Sequence, residues 1–158
     1  MMLKHILVFL LGILALAGCS SSDKVSEQPT VVTFSLVADK GVNPNVYGEP
    51  SPIELQVFEL EDDSMFLSAD FDQINEDYKK VLKSNYVDVY DYVLTPGQFK
   101  FVEDIEVDED TRYIAVLAKF AEPELSDWKK AVKIINLGHR YHLLMLFKDY
   151  DVELQKVE

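Results

Sequence analysis

Cysteine is nearly absent from this chain of 158 residues: Cys19 stands alone. No intramolecular disulfide can form, and the multi-cysteine zinc and redox motifs are excluded with it. Histidine is scarce too, and beyond the first few residues only His139 and His142 remain. Three positions apart, they would share a helix face but point to opposite faces of a strand. Their surroundings read as a strand, so both are expected to be structural or surface residues and not a metal pair. Positive charge is short, with 15 Lys and Arg against 28 Asp and Glu, a formal charge of −13. Such a field repels nucleic acid and anionic lipid headgroups and favours basic or neutral partners. There is no nucleophile elbow, phosphate-binding glycine loop, dinucleotide fingerprint or paired-histidine zinc motif, so neither enzymatic activity nor a cofactor is expected. No apolar run reaches the roughly 20 residues that cross a bilayer.

One shorter apolar run is present. Residues 6–17 (ILVFLLGILALA) follow Lys4 and His5 and lead into Gly18-Cys19. A basic start, an apolar stretch of about 7 to 15 residues and a small-residue cleavage site make a secretory leader. The sequence Leu16-Ala17-Gly18-Cys19 resembles a bacterial lipobox, in which the cysteine thiol receives diacylglycerol and the amino group freed by cleavage is acylated. Residues 1–18 are read as the signal peptide and Cys19 as the lipidation site, a covalent lipid and not a bound cofactor. Ser20, in place of the aspartate that signals inner-membrane retention, favours sorting to the outer membrane. Lys4 is the only charged residue in the leader, so the mature chain retains 14 basic residues against 28 acids. Attachment to membrane must then come from acyl chains, each buried methylene contributing about 0.8 kcal/mol.

The mature length suits one domain. Residues 19–30 are read as the acylated N-terminus and a polar tether, and residues 31–158 as the folded part. From Val31 the dominant period is two, the mark of strands with one buried face. Val32, Phe34 and Leu36 form one such face; Ile53, Leu55 and Val57 a second; Phe99, Phe101, Ile105 and Val107 a third. Residues 113–118 (YIAVLA) are apolar on both parities, as in a central strand covered on both sides. Residues 86–94, Val132 with Ile134, residues 141–147 and residues 150–154 bring the total to about eight strands. Only residues 66–83 have helical spacing, through Phe71, Ile74, Tyr78, Val81 and Leu82, with a break expected near Asn75. Thr95-Pro96-Gly97-Gln98 reads as a type II turn. The pattern predicts a mainly all-β, two-sheet sandwich with one added helical segment.

Residues 39–52 (DKGVNPNVYGEPSP) stand out. At fourteen residues this link is far longer than the usual hairpin connection of about 2 to 5. It holds Pro44, Pro50 and Pro52, half of the chain's prolines. That makes it stiff while it displays Val42, Val46 and Tyr47, and a constrained loop with apolar tips has already lost entropy that binding would otherwise cost. Other candidates read more plainly. The acidic runs 59–63 and 106–110 lack the ligand spacing of a calcium loop and are expected to be solvated loops. Trp128 is expected to be a half-buried rim residue.

In their order these residues resemble the TssJ family of type VI secretion outer-membrane lipoproteins. The resemblance rests on Asn43-Pro44-Asn45, Gly48-Glu49-Pro50-Ser51-Pro52-Ile53, Val57-Phe58-Glu59-Leu60, Phe66 with Ala69-Asp70-Phe71, Leu94-Thr95-Pro96-Gly97, and residues 113–120 followed by Trp128, all behind the lipobox. It departs at Ala121, where the family often has arginine, and over residues 79–92. The resemblance implies a transthyretin-like β-sandwich held at the outer membrane and facing the periplasm. It implies a non-enzymatic role, binding the periplasmic C-terminal region of the inner-membrane protein TssM within a TssJ-TssL-TssM complex. It also implies that the loop between the first two strands takes part, through Asn43, Pro44, Asn45, Tyr47 and Gly48, to which the display of Val46 on the same loop adds a sixth expected contact residue. The alternative of another class is a carbohydrate- or peptidoglycan-binding lipoprotein that stacks sugars on Trp128 and the tyrosines. A hydrolase is the weakest reading, for want of a catalytic set.

Overall fold

The computed structural model describes residues 28–157. Cys19, the leader and most of the tether lie outside them. Eight strands form two four-stranded sheets: β1 (Val31–Ala38), β2 (Ile53–Leu60), β3 (Tyr86–Leu94), β4 (Phe99–Glu106), β5 (Tyr113–Lys119), β6 (Lys129–Lys133), β7 (Arg140–Lys148) and β8 (Asp151–Val157). One sheet has the order β4-β1-β7-β8 and the other β3-β2-β5-β6. All pairings are antiparallel except β1 with β7, where Val31 lies beside Arg140 and Ala38 beside Phe147. The period-two reading thus yields the expected sandwich. Val32, Phe34 and Leu36 of β1, Ile53, Leu55 and Val57 of β2, Val116 of β5 and Leu143, Met145 and Phe147 of β7 close the space between the sheets.

The second apolar layer explains why β5 is apolar on both parities. On the outer face of the β3-β2-β5-β6 sheet, Phe58, Leu60, Ala115 and Leu117 are covered by Phe66, Ala69, Ile74 and Leu82. Phe66 comes from helix α1 (Ser64–Ser68), Ile74 and Leu82 from helix α2 (Phe71–Leu82), and Ala69 from the short link between them. The helical segment is therefore present, and the break expected near Asn75 falls two residues on, at Asp77 (φ −152°, ψ 80°); a second, unforeseen interruption lies earlier at Ala69, which is extended (φ −69°, ψ 145°). Lys129 of β6 ties the earlier break down. Its Nζ donates to the carbonyls of Phe66, Leu67 and Ala69 at 3.1, 2.6 and 2.6 Å, satisfying oxygens that a helix end leaves unpaired.

The reading of β4 needs correction. Phe99 and Phe101 do not face inward: they are 60% and 47% exposed, stacked on the outer face of the first sheet with ring centroids 6.4 Å apart. The inward residues are Val102 and Ile105. Val32 pairs with Ile105 but Phe34 pairs with Val102, so two steps along β1 match three along β4. The extra residue is a bulge, with Asp104 at φ 52°, and a bulge exchanges the two faces of every residue beyond it.

At the start of the domain, Thr30, read as part of the tether, is fully buried. Its Oγ1 donates to Ile135 O at 2.7 Å and its N–H to Asn136 O at 2.8 Å. β1 then runs from this end to the other, a length of roughly 25 Å for an eight-residue strand, and delivers the chain to the long loop.

Candidate functional site

The loop between β1 and β2 crosses from one sheet to the other over one end of the sandwich, and asparagine side chains do most of the work of shaping it. Asn43 is 5% exposed with φ 50°, a left-handed conformation that asparagine tolerates better than most residues. Its Nδ2 donates to Pro52 O at 2.8 Å, and its Oδ1 accepts from Ala121 N at 2.7 Å. Its own N–H donates to Asp149 O at 2.7 Å. This one residue thus ties the far end of the loop, at Pro52, to the connection that follows β5 through its side chain and to the connection that follows β7 through its backbone. Pro44 is half-buried, and its carbonyl accepts from Tyr150 Oη at 2.9 Å.

Asn45 builds the turn beyond. Its Oδ1 accepts from Tyr47 N at 2.9 Å and Glu49 N at 3.0 Å. Gly48 N donates to Asn45 O at 2.8 Å, and Asn45 N to Glu49 O at 2.8 Å. Gly48 has φ 79° with nothing within 4 Å of where a Cβ would stand, so its role is conformational and not steric.

The six residues proposed for contact therefore divide. Asn43 and Pro44 brace the loop, Asn45 and Gly48 shape its turn, and Val46 and Tyr47 are presented, at 79% and 85% exposure. Val42, expected on display, is instead fully buried in the main core, because the loop folds back at Asp39, whose carbonyl accepts from Val42 N at 3.2 Å. These hydrogen bonds hold the loop in addition to the φ restriction that its prolines impose.

Sequence reasoning missed two residues. Leu125, on a single 3₁₀ turn at Pro123–Leu125, is 75% exposed. Its loop leaves β5 at the end of the sandwich where Ala121 meets Asn43, so Leu125 belongs to the same end as Val46 and Tyr47. A leucine bounded by Pro-Glu and Ser-Asp in a polar connection was the available signal. Glu59 is the other. Placed in an acidic run read as solvated loop, it is 1% exposed at the opposite end of the sandwich. Its carboxylate accepts from Tyr90 Oη at 2.6 Å, Asp108 N at 2.9 Å and the Thr111 hydroxyl. Burial first, and then this bond to Glu59, push the Tyr90 hydroxyl far above the ordinary tyrosine range.

The remaining candidates lie elsewhere. Trp128 is half-buried as expected, edge-to-face with Phe71 at 5.2 Å and with Lys129 Nζ 4.5 Å from its ring centroid. Burial lowers the pKa of that Lys129 ammonium, partly offset by Asp70. His142 shares a 2.7 Å hydrogen bond with Ser35, and His139 stacks on Tyr141. Among the described residues no cluster of three or more His, Cys, Asp or Glu could hold a metal.

Residues 30–156 match the family model described as "Type VI secretion lipoprotein, VasD, EvfM, TssJ, VC_A0113". No curated protein matches the chain. Among solved structures it is similar to the T6SS lipoprotein TssJ1 from Pseudomonas aeruginosa, with TM-score 0.77 and 22% identity over 82% of this chain and 98% of that one. It is also similar to Serratia marcescens Lip, a membrane-bound component of the type VI secretion system (TM-score 0.67, 25% identity, 82% and 97% covered). A third similar chain comes from the structure described as the T6SS protein TssM C-terminal domain from EAEC (TM-score 0.65, 22% identity, 80% and 98% covered).

Proposed function

The chain belongs to the type VI secretion lipoprotein family, and on that premise we propose that it is an outer-membrane subunit of the secretion system's membrane complex. It is anchored through lipid on Cys19 and binds the periplasmic C-terminal region of a TssM-like inner-membrane protein, within a TssJ-TssL-TssM assembly. It catalyses no reaction. One observation carries the contact: two apolar side chains, Val46 and Tyr47, held almost fully exposed on a loop whose backbone is already fixed by its own hydrogen bonds. A preformed loop spares the backbone-ordering cost of binding and leaves only the ordering of the two side chains, and tyrosine is enriched at interfaces. The placement also favours the reading. The tip stands at the far end of β1 from Gln28, so a chain tethered to the outer membrane by its N-terminal side would point the tip away from that membrane.

The test replaces Val46 and Tyr47 with aspartate, because a charge buried at an interface without a partner is costly. In calorimetry against the periplasmic region of TssM, affinity is expected to fall at least about tenfold, or about 1.4 kcal/mol, with an unchanged melting temperature. Undiminished binding by a folded double variant would move the contact away from the tip. The anchor is tested separately: intact mass should show an acylated Cys19, and Cys19→Ser should release the protein from the outer-membrane fraction.

A second reading has one observation in its favour. The exposed Phe99–Phe101 pair is an aromatic surface of the kind a sugar-stacking protein uses. Trp128, central to that reading, is packed against Phe71 instead. Binding of peptidoglycan fragments that is lost in Phe99→Ala would support it; no binding would remove it.

A further inference from the structure

The end of the sandwich opposite the tip has its own apolar patch, which surrounds the point where the chain enters the domain. Gly138 N donates to Gln28 O at 2.8 Å, and Pro29 forms a β-bridge with Leu137. On the loop between β6 and β7, Ile134 is buried, and the Asn136 side-chain amide is tied to Glu109 O. Ile135 and Leu137 alternate with them and are 54% and 40% exposed, and Val157 at the same end of β8 is 43% exposed. Beside them Tyr141 carries His139 stacked at 5.8 Å and the Lys156 ammonium 5.4 Å from its ring centroid. Arg140, next to His139, is exposed and forms a solvent-open ion pair with Asp104 at 3.4 Å, so Lys156 is the cation without a carboxylate partner at this distance among the described residues. Aliphatic side chains rimmed by an aromatic ring and long cations suit the boundary between acyl chains and headgroups, where the cations can reach phosphate while their stems stay apolar.

We propose that this end is a membrane foot: Ile135 and Leu137 rest on the phospholipid leaflet that holds the Cys19 acyl chains, an inference that rests on the acylation proposed above. The length of chain outside the described residues argues for that occupant. Gln28 follows Cys19 by nine positions, and nine residues span at most about 30 Å, so the bilayer is always within reach of the loop that grips Gln28. Two aliphatic side chains do not hold a free protein on a membrane, but a lipid leash makes the contact intramolecular and raises its effective concentration. The neighbouring acids Asp108, Glu109 and Asp110, exposed on the loop bonded to Asn136, oppose an anionic surface, so the leaflet that fits is zwitterionic.

The test uses the full mature lipoprotein in phosphatidylcholine–phosphatidylethanolamine vesicles, with an environment-sensitive dye on the new thiol of Leu137→Cys or, at the other end, Val46→Cys. The acylated Cys19 offers no competing thiol. The dye at position 137 is expected to shift to the blue and to be quenched by nitroxide lipids, and the dye at 46 is not. Adding Ile135→Asp, an exposed change that leaves the core intact, should abolish the shift while the protein still floats with the vesicles. Water-like emission from both positions in floating protein overturns the foot and leaves the anchor standing. So does a shift at 137 that requires an added partner protein. Failure to float, with a free thiol at Cys19, overturns the anchor instead.

Discussion

Asn43 and Glu59 show how single polar side chains govern this molecule. Each is buried, each serves groups far away in sequence, and each leaves several partners unsatisfied when removed. Asn43→Ala removes the bonds to Pro52 O and Ala121 N and puts a β-carbon side chain without local hydrogen bonding at φ 50°. A cost of about 1 to 3 kcal/mol is expected in urea unfolding. Asn43→Gly relieves the backbone strain and should recover only part of it. Tyr90 supplies a pH test. Its hydroxyl is held neutral in the folded state, with Tyr86 and Tyr92 shifted upward as well, chiefly by burial. A raised folded-state pKa contributes stability that is complete below the unfolded value near 10 and is lost as pH rises through the folded value. Unfolding free energy should therefore hold to about pH 9 and decline above about pH 10. Tyr90→Phe should be less stable at pH 7 by about 1.5 to 3 kcal/mol, the range for a hydrogen bond to a charged group, and decline less steeply at alkaline pH.

At the scale of the element, β4 is the instructive case. Its phenylalanines alternate in the sequence as core residues do, yet the bulge at Asp104 turns them outward. Truncation tells the two faces apart. Phe34→Ala removes a fully buried ring and should cost about 3 to 5 kcal/mol. Phe101→Ala, half-exposed, should cost less than about 1 kcal/mol. Equal losses in denaturant melts would mean that Phe101 is inside after all. The helical element shows the opposite outcome. Its apolar spacing was sufficient to foresee that Phe71, Ile74, Tyr78 and Leu82 would share a face, but not that Lys129, sixty residues away, would close its first break through three carbonyls.

For the molecule as a whole, the decisive pairing is β1 with β7. These strands are parallel, more than one hundred residues apart, and sit at the centre of their sheet. The first sheet cannot assemble until the C-terminal third of the chain is present. A chain ending after Asn136 would lack β7 and β8, leaving β1 with only β4 and exposing Phe34 and Leu36 to water. It should show no cooperative unfolding transition by circular dichroism. The same architecture sets the two ends apart, the tether side with Gln28 and Ile135 at one, and Val46, Tyr47 and Leu125 at the other.

Much of this was determined by the sequence alone. Alternation of apolar residues marks the strands, because side-chain direction along a strand depends only on parity. Doubly apolar residues 113–118 mark the covered strand, and the long proline-bearing link marks the loop. Those are local properties, decided by neighbours in the chain. The exposure of individual residues was decided by tertiary structure. Val42 is buried and Val46 exposed in the same loop, Glu59 is buried within an acidic run, Phe101 is turned outward by one extra residue in β4, and Leu125 stands beside Tyr47's end of the fold. For most of these the outcome hangs on partners distant in sequence: Asp149 and Ala121 hold the loop, Thr111 and Tyr90 hold Glu59, and the register with β1 turns Phe101 outward. A hydrogen bond or a pairing register between distant segments is a property of the closed fold, and it leaves no periodic trace in the chain that forms it.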